Sequence, residues 1–173
     1  TVRTAYVASK RAREVYAEYF ESHYDLALAG MRFFSVYQGY GGAEAHKGEY
    51  ANTVAQFADA MAKGERPEVF GDGSQTRDFT HVDDVVTALE LTAEAGLSGI
   101  FNVGTGVATS FNTMIEMINE AMGRDIDPVY VDNPLPVYVH DTCADASKLE
   151  AATGWQPTVD FSEGVQRVCR AYQ

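Results

Sequence analysis

The chain has 173 residues, enough for one globular domain with a hydrophobic core of its own. Its 46% of apolar residues and its five prolines exclude the disordered class. The net charge of −12, from 25 acids and 13 bases, argues against nucleic-acid and anionic-membrane partners, because such a surface repels polyanions.

The first predicted element is a helix over about 4–22, from the helical spacing of its apolar residues. A largely buried strand is predicted over 26–37, because apolar residues dominate this run. A glycine-rich loop follows over 39–48. An amphipathic helix is then predicted from Tyr50 to a stop near Gly64.

The second half of the chain continues the alternation of strands and helices. Two short strands are predicted at 67–70 and 77–80, on either side of a glycine-rich turn. The elements that follow are a helix over about 82–93, a strand over 100–103, a helix over 111–122, a strand over 129–131, and helices near 145–153 and 162–172. Strands that alternate with helices predict an α/β fold.

Two cysteines, Cys143 and Cys169, are too few for a disulfide framework, which is typical of a reducing compartment. No apolar run reaches the ~18 residues of a membrane span. We therefore expect a cytoplasmic protein with no membrane partner. The few lysines among many acids fit either adaptation to high salt or ordinary acidity, and both interpretations stay open.

Tyr6 and Lys10 form the first candidate site. They lie four residues apart on the first predicted helix, which places both on one face. A phenol is a poor base at neutral pH, but a nearby ammonium group favours the phenolate form. Such a pair can take a proton from a hydroxyl group. Packing and solvation of a surface helix explain the same spacing, so the pair by itself assigns no function.

Five motifs occur in a fixed order along the chain. They are Tyr6-x-x-x-Lys10, the run 32–37, the run 71–85, the run 101–106, and the run 144–148 with Gly154-Trp155. This series resembles the extended short-chain dehydrogenase/reductase family, specifically its nucleotide-sugar epimerases and dehydratases. The resemblance covers essentially the whole chain. It implies the C-terminal part of an NAD(P)-binding Rossmann fold together with the small α/β substrate-binding domain.

The resemblance also implies a division of the chain. Residues 1–48 would be the terminal part of the dinucleotide-binding domain, and 49–173 the substrate-binding domain, with about 80–106 returning to the Rossmann sheet. The sequence contains no glycine-rich phosphate loop. In the family that loop, the ribose-binding acid and a catalytic Ser or Thr precede the Tyr-x-x-x-Lys helix. We therefore expect a truncated chain that is inactive alone.

The roles implied by the resemblance are specific to residues. Tyr6 would be the catalytic acid/base, and Lys10 would hold the nicotinamide ribose and favour the phenolate of Tyr6. Phe33 and Phe34 would lie alongside the nicotinamide of the cofactor. The nucleotide sugar would be bound by Ser35, Asn52, Thr53, Val54, Phe70, Arg77 and Tyr138.

Arg77 offers a planar fork for a diphosphate, although a surface pair with Asp72 or Asp78 would also explain it. Asn52, at the start of a helix, is well placed for the same anion. Ser35 stands where the family has Asn, and its shorter side chain puts the phosphate contact in doubt. Asp78, His81 and Asp83 are expected to fix a strand-to-helix turn rather than to react.

The implied activity is epimerisation of a nucleotide-diphosphate sugar through a transient ketone, with NAD, or NADP, as cofactor. The full-length protein is expected to be a homodimer. UDP-glucose 4-epimerases and ADP-heptose 6-epimerases both fit the motifs, and His46-Lys47-Gly48 with Tyr138 is closer to the second. A nucleotide-sugar 4,6-dehydratase and a non-catalytic nucleotide-sugar-binding module are the alternatives. The isolated histidines predict no metal site.

Overall fold

A computed structural model describes residues 4–40 and 44–173. The elements in chain order are α1 (Ala5–Tyr24), β1 (Ala29–Phe33), β2 (Val36–Tyr37), a 3-10 segment (Ala45–Tyr50), α2 (Thr53–Ala62), β3 (Glu68–Phe70), β4 (Thr76–Arg77), β5 (Thr80–His81), α3 (Val82–Glu94), β6 (Gly99–Val103), β7 (Thr109–Ser110), α4 (Phe111–Met122), β8 (Val129–Val131), α5 (Ser147–Thr153) and α6 (Phe161–Arg170). The predicted α/β class is confirmed.

The strands of the described residues pair two by two. β1 runs parallel to β6 over five residues, from the pair Ala29 and Gly99 to the pair Phe33 and Val103. β2 is parallel to β5, β3 is parallel to β8, and β4 is antiparallel to β7. Part of the predicted loop over 39–48, residues 41–43, lies outside the described residues.

The prediction of one largely buried strand over 26–37 is wrong. β1 and β2 are separate strands, and Ala29, Arg32 and Phe33 are exposed. Among the described residues β1 pairs with β6 alone, α1 has no buried residue, and only Met31 of β1 packs against a hydrophobic cluster, so β1 is partly covered. The strand predicted over 77–80 is also two strands, β4 and β5, because the buried residues Asp78 and Phe79 interrupt the pairing.

Two hydrophobic clusters hold the fold. The larger one joins α2, α4 and α6 around Phe57, Met61, Met114, Ile118 and Val165. The smaller one joins α3, β6 and α5, and its members are Val85, Ala88, Phe101, Val103, Leu149 and Trp155. The domain boundary near residue 48 stays a prediction. No helix in the described part of the chain is long and apolar enough to cross a membrane.

The buried carboxylate of Asp84 fastens the C-terminal segment to α3. One oxygen accepts from the backbone N–H and the hydroxyl of Thr158, both at 2.8 Å, and the other accepts from the Val159 N–H at 3.2 Å. The indole N–H of Trp155 donates to the Asp84 carbonyl oxygen at 3.0 Å. These four bonds fix the approach to α6.

Candidate active site

Tyr6 and Lys10 lie on adjacent turns at the start of α1. The helix begins here because the Thr4 hydroxyl accepts a hydrogen bond from the Val7 N–H. The Lys10 ammonium lies 5.0 Å from the centre of the Tyr6 ring, and Tyr6 is 69% exposed. The structure therefore brings the two predicted catalytic residues together on an open face.

This pair lines a groove of about 450 Å³ between α1 and β1. The walls are formed by Tyr6, Lys10, Arg13, Glu14, Ala17, Gly30, Met31, Arg32, Phe33 and Ile100. Phe33, predicted to pass a nicotinamide, is in this groove and 47% exposed. Phe34 is half-buried, and its N–H donates to the Val103 carbonyl, so its backbone extends the pairing of β1 with β6.

Glu14, in the wall of the groove, accepts hydrogen bonds from two arginines, and it was not predicted from the sequence as a site residue. Its two oxygens accept from Nε and Nη2 of Arg32 at 2.7 and 2.8 Å, and Arg11 Nη1 donates to the second oxygen at 2.7 Å. The hydrogen bond from Arg32 is the largest cause that lowers the pKa of Glu14, to about 2. The i, i+4 spacing of Lys10 and Glu14 places Glu14 on the same helix face and could have indicated it from the sequence. The partner Arg32 belongs to β1, so no local pattern indicates the pair.

A second cavity, of about 540 Å³, lies between α2, β3 and the segment before α5. Its lining includes the predicted residues Thr53, Phe70 and Tyr138. Phe57, Ala60, Arg66, Phe111 and Leu135 also line it and were not predicted as site residues. Phe111 was assigned to the apolar stripe of a helix, and only the packing of α4 brings its ring to the cavity.

Arg77 adjoins this second cavity. Its guanidinium carbon lies 5.7 Å from the Phe111 ring centre and 5.2 Å from the Tyr138 ring centre. Nη1 donates to the carbonyl oxygens of Thr76 at 2.6 Å and His140 at 2.8 Å. The alternative of an ion pair with Asp72 or Asp78 is not found among the described contacts. Arg77 is therefore oriented by carbonyls and aromatic rings.

Asn52 caps the N-terminus of α2. Its Oδ1 accepts from the Ala55 N–H at 3.0 Å, while Nδ2 is buried without a hydrogen-bond partner in the described part of the chain. Val54 is fully buried, so its side chain belongs to the core and only its backbone can face a ligand. A helix N-terminus with a spare amide donor is suited to an anion.

Glu44 braces the same helix start from the preceding loop. Its carboxylate accepts from Gln38 Nε2 at 3.0 Å, from Lys47 Nζ at 2.8 Å and from the Asn52 N–H at 3.2 Å. Burial alone would raise the pKa of Glu44, but the hydrogen bonds from Lys47, Gln38 and Asn52 lower it below the ordinary value. Lys47 thus has a structural partner.

Ser35 lies between β1 and β2, and its carbonyl oxygen accepts from the Thr80 N–H at 3.3 Å. It lines neither of the two cavities within the described residues. The structure therefore does not bring Ser35 to the other predicted substrate residues. Of those residues, Thr53, Phe70 and Tyr138 line the second cavity, whereas Tyr6, Lys10 and Phe33 line the first.

Asp78 holds three segments together beside Arg77. Its carboxylate is fully buried and accepts from the Thr105 N–H and hydroxyl, the Gly106 N–H and the Ala144 N–H, at 2.7 to 3.0 Å. His81 caps α3 through Nδ1, which accepts from the Asp83 N–H at 3.2 Å. The three motif residues therefore fix the turn. No group of three or more potential metal ligands is present among the described residues.

The class that the fold defines is an α/β protein of the short-chain dehydrogenase/reductase type. Residues 1–168 match the family described as GDP-mannose 4,6 dehydratase. The chain thus belongs to this family of extended short-chain dehydrogenase/reductase epimerases and dehydratases.

Similar proteins support the same family. The UDP-glucose 4-epimerase of Mycolicibacterium smegmatis is 35% identical over 169 residues, which cover 97% of this chain and 52% of that protein. The UDP-glucose 4-epimerase of Thermotoga maritima, solved with UDP-glucose, is 33% identical, with a TM-score of 0.84 over 96% of this chain and 52% of that one. The UDP-glucose 4-epimerase of Thermus thermophilus, solved with NAD, is 29% identical, with a TM-score of 0.85 over 99% of this chain and 55% of that one. The chain spans about half the length of the curated relatives it matches.

Proposed function

We propose that the chain contributes the catalytic helix and the substrate cavity of an NAD-dependent nucleotide-sugar epimerase. The observation that carries the proposal is the Tyr6 and Lys10 pair, 5.0 Å apart and open to the groove beside Phe33. A retired binding module would have no use for that pair, which disfavours the non-catalytic alternative.

In this proposal Tyr6 takes the proton from a sugar hydroxyl and later returns one, while the Lys10 ammonium stabilises the phenolate. When bound, NAD would supply the hydride chemistry, by which the sugar carbinol is oxidised to a ketone and the ketone is reduced again from its other face. The open groove between Phe33 and the Tyr6 and Lys10 pair fits the nicotinamide end of the cofactor. NADP stays open, because the sequence contains no ribose-binding acid that would distinguish the two.

The second cavity would take the nucleotide diphosphate. Phe70, Phe111 and Tyr138 offer ring faces for a base, and Arg77 offers a guanidinium fork to phosphate oxygens. The unpartnered Nδ2 of Asn52 supplies a further donor at the start of α2. Ser35 is not at this cavity, so we assign it no phosphate contact.

We propose a UDP-hexose as the substrate and C4 as the inverted centre. The relatives named UDP-glucose 4-epimerase support this choice. The motif His46-Lys47-Gly48, which favoured a heptose epimerase, has another explanation, because Lys47 pairs with Glu44. Mass spectrometry of the product from the full-length protein tests the reaction. A product of unchanged mass supports the epimerase, whereas a loss of 18 mass units would establish a 4,6-dehydratase.

Removing the Tyr6 hydroxyl is the direct test of the catalytic assignment. In the full-length protein, Tyr6→Phe is expected to lower turnover by about 10²–10⁴-fold, because a general acid/base is lost, while substrate affinity changes little. Lys10→Ala is expected to weaken NAD binding as well. Tyr16→Phe, at an exposed tyrosine on the same helix, is the matched control. Full activity of Tyr6→Phe would place the base elsewhere.

The full-length protein is also proposed to be a cytoplasmic homodimer. α1 exposes a cluster of apolar and aromatic side chains, Val15, Tyr16, Tyr19, Phe20 and Tyr24, which is a surface suited to burial. Light scattering after size-exclusion chromatography measures the assembly. A mass equal to one full-length chain at micromolar concentration would contradict the dimer.

A further inference from the structure

The helix face that carries Tyr6 and Lys10 also carries a carboxylate. Glu14 lies one turn beyond Lys10, and residues with this spacing are neighbours, about 5–6 Å apart at Cβ. A Lys10 and Glu14 pair would be an ordinary ion pair of a helix surface. It would also draw the ammonium away from Tyr6. In the structure the Lys10 ammonium lies over the Tyr6 ring instead.

Arg32 explains why Lys10 does not pair with Glu14. The guanidinium of Arg32 donates to both Glu14 oxygens, at 2.7 and 2.8 Å, and Arg11 adds a third bond at 2.7 Å. The Glu14 side chain is only 15% exposed, whereas Arg32 is 52% exposed. A bidentate guanidinium pair is stronger and more directional than a lysine contact, so it occupies the carboxylate first.

We propose that Arg32 is a positioning residue, which occupies Glu14 and thereby keeps Lys10 available to Tyr6. The inference rests on the proposed function, in which Tyr6 exchanges a proton with the substrate. It assigns a task to a salt bridge in the wall of the groove that joins α1 to β1. Arg32 belongs to β1, so the strand that leads to Phe33 also controls the charges on α1.

A simple tether is the competing explanation. The Glu14 and Arg32 bonds are the only side-chain hydrogen bonds that join α1 to the rest of the described residues. If the pair only held the helix in place, the loss of either partner would be equally harmful. If Arg32 protects Lys10 from Glu14, loss of Arg32 and loss of Glu14 have different effects. The Glu14 carboxylate is harmful only when it is charged and has no hydrogen bond from Arg32.

The test measures turnover against pH in the full-length protein with UDP-glucose and NAD. The charged groups that face the groove with Tyr6 are Lys10, Arg13, Glu14 and Arg32. In Arg32→Met, Glu14 captures Lys10, so the ammonium is drawn away from the Tyr6 hydroxyl that exchanges the proton. The rising limb of the profile is therefore expected to move up by about one pH unit, a roughly tenfold loss of turnover below that limb.

Glu14→Gln removes the competing carboxylate, and the rising limb of its profile is expected at the parent position, because Lys10 stays with Tyr6. The double variant Glu14→Gln with Arg32→Met is expected to restore the parent profile. Arg13→Met removes a cation from the same groove, but Arg13 has no ion pair with Glu14 among the described residues. It therefore controls for a general effect of charge.

A double variant whose rising limb lies as high as that of Arg32→Met, or a Glu14→Gln limb displaced to the same extent, would overturn the inference and favour the tether. An unchanged profile in Arg32→Met would overturn it too. Tyr6→Phe and Lys10→Ala are measured in the same assay. If these two variants keep full activity, the proposed function itself fails. If they lose activity, the proposed function stands, and the Arg32 variants then test the positioning role alone.

Discussion

Arg77 is oriented by the protein before any ligand is bound. Two backbone carbonyls hold one end of its guanidinium, and the rings of Phe111 and Tyr138 lie against it. Such fixation lowers the conformational entropy that binding would otherwise cost. Nη2 and Nε of the guanidinium make no hydrogen bond among the described contacts, so the proposed diphosphate would find donors of the fork available.

The first prediction concerns this fork. In the full-length protein, Arg77→Lys is expected to raise the KM for the nucleotide sugar about tenfold and to change kcat less, because lysine keeps the charge but not the bidentate geometry. Steady-state kinetics measures both constants. Arg124→Lys is the control, since Arg124 donates to the Ala62 carbonyl at an exposed position. Equal effects of the two substitutions would contradict the assignment.

His81 makes stability depend on pH. Burial lowers the pKa of its imidazole below the ordinary 6.5, against the opposing effect of Asp83, and Arg167 lowers it further. The unfolded chain therefore binds a proton at a higher pH than the folded chain does. The stability contributed by neutral His81 is complete above about pH 6.5 and is lost as the pH falls toward the lowered pKa.

The corresponding experiment is urea unfolding at pH 7.5 and pH 5.5. The parent chain is expected to lose more free energy of unfolding between these pH values than His81→Asn, in which an asparagine still caps α3 but cannot titrate. His23→Asn, at an exposed histidine of α1, provides the comparison. If His81→Asn shows the same pH dependence as the parent, another group is responsible.

At the scale of elements, α3 and the C-terminal segment depend on Asp84. Asp84→Asn replaces one accepting oxygen by an NH₂ group, which meets N–H donors of Thr158 or Val159. We expect a loss of about 2–4 kcal/mol in the free energy of unfolding, because charged hydrogen bonds are lost and a buried donor is left unpaired. Denaturant titration measures it, with the exposed Asp125→Asn as control. A change below 0.5 kcal/mol, which is typical of surface positions, would contradict this role.

The helices were predicted from the sequence because their signals are local. Ser110 caps α4 through its hydroxyl, and Gly123 and Gly154 end α4 and α5 in the left-handed conformation, as their positions indicate. The strands were predicted less well. The apolar run over 26–37 predicts burial, but burial of a strand depends on which elements cover it, and α1 and β1 together have no buried residue.

The candidate site follows the same rule. Tyr6 and Lys10 are neighbours through helical spacing alone, so their pairing could be predicted from two positions. The contact of Arg77 with Phe111 and Tyr138 needs the packing of α4 and of the segment before α5, which no local pattern contains. The short strand β7, which pairs with β4, was missed for the same reason.

At the scale of the whole molecule, the net charge of −12 leads to a prediction about salt. If the acidic surface is an adaptation to high salt, the melting temperature is expected to rise by many degrees between low and molar KCl, because salt screens the repulsion between carboxylates. A thermal melt in a KCl series measures this. A flat profile would instead show ordinary acidity.

A further prediction concerns the 173-residue chain as such. It has no glycine-rich phosphate loop, so it is expected to bind NAD negligibly although the Tyr6 and Lys10 groove is formed. Isothermal titration with NAD measures this, and the full-length protein is the positive control. Micromolar affinity of the 173-residue chain would show that the groove alone retains the cofactor.

The buried carboxylate of Asp78 has a consequence for the way such a site diversifies during evolution. Asp78 ties Thr105, Gly106 and Ala144 together directly beside Arg77, and Gly104 has no room for a side chain against Ala144. Loss of the Asp78 carboxylate would leave the N–H groups of all three without their partner at the same time. Descendants of this chain are therefore expected to differ at positions outside this junction, while the junction is inherited unchanged.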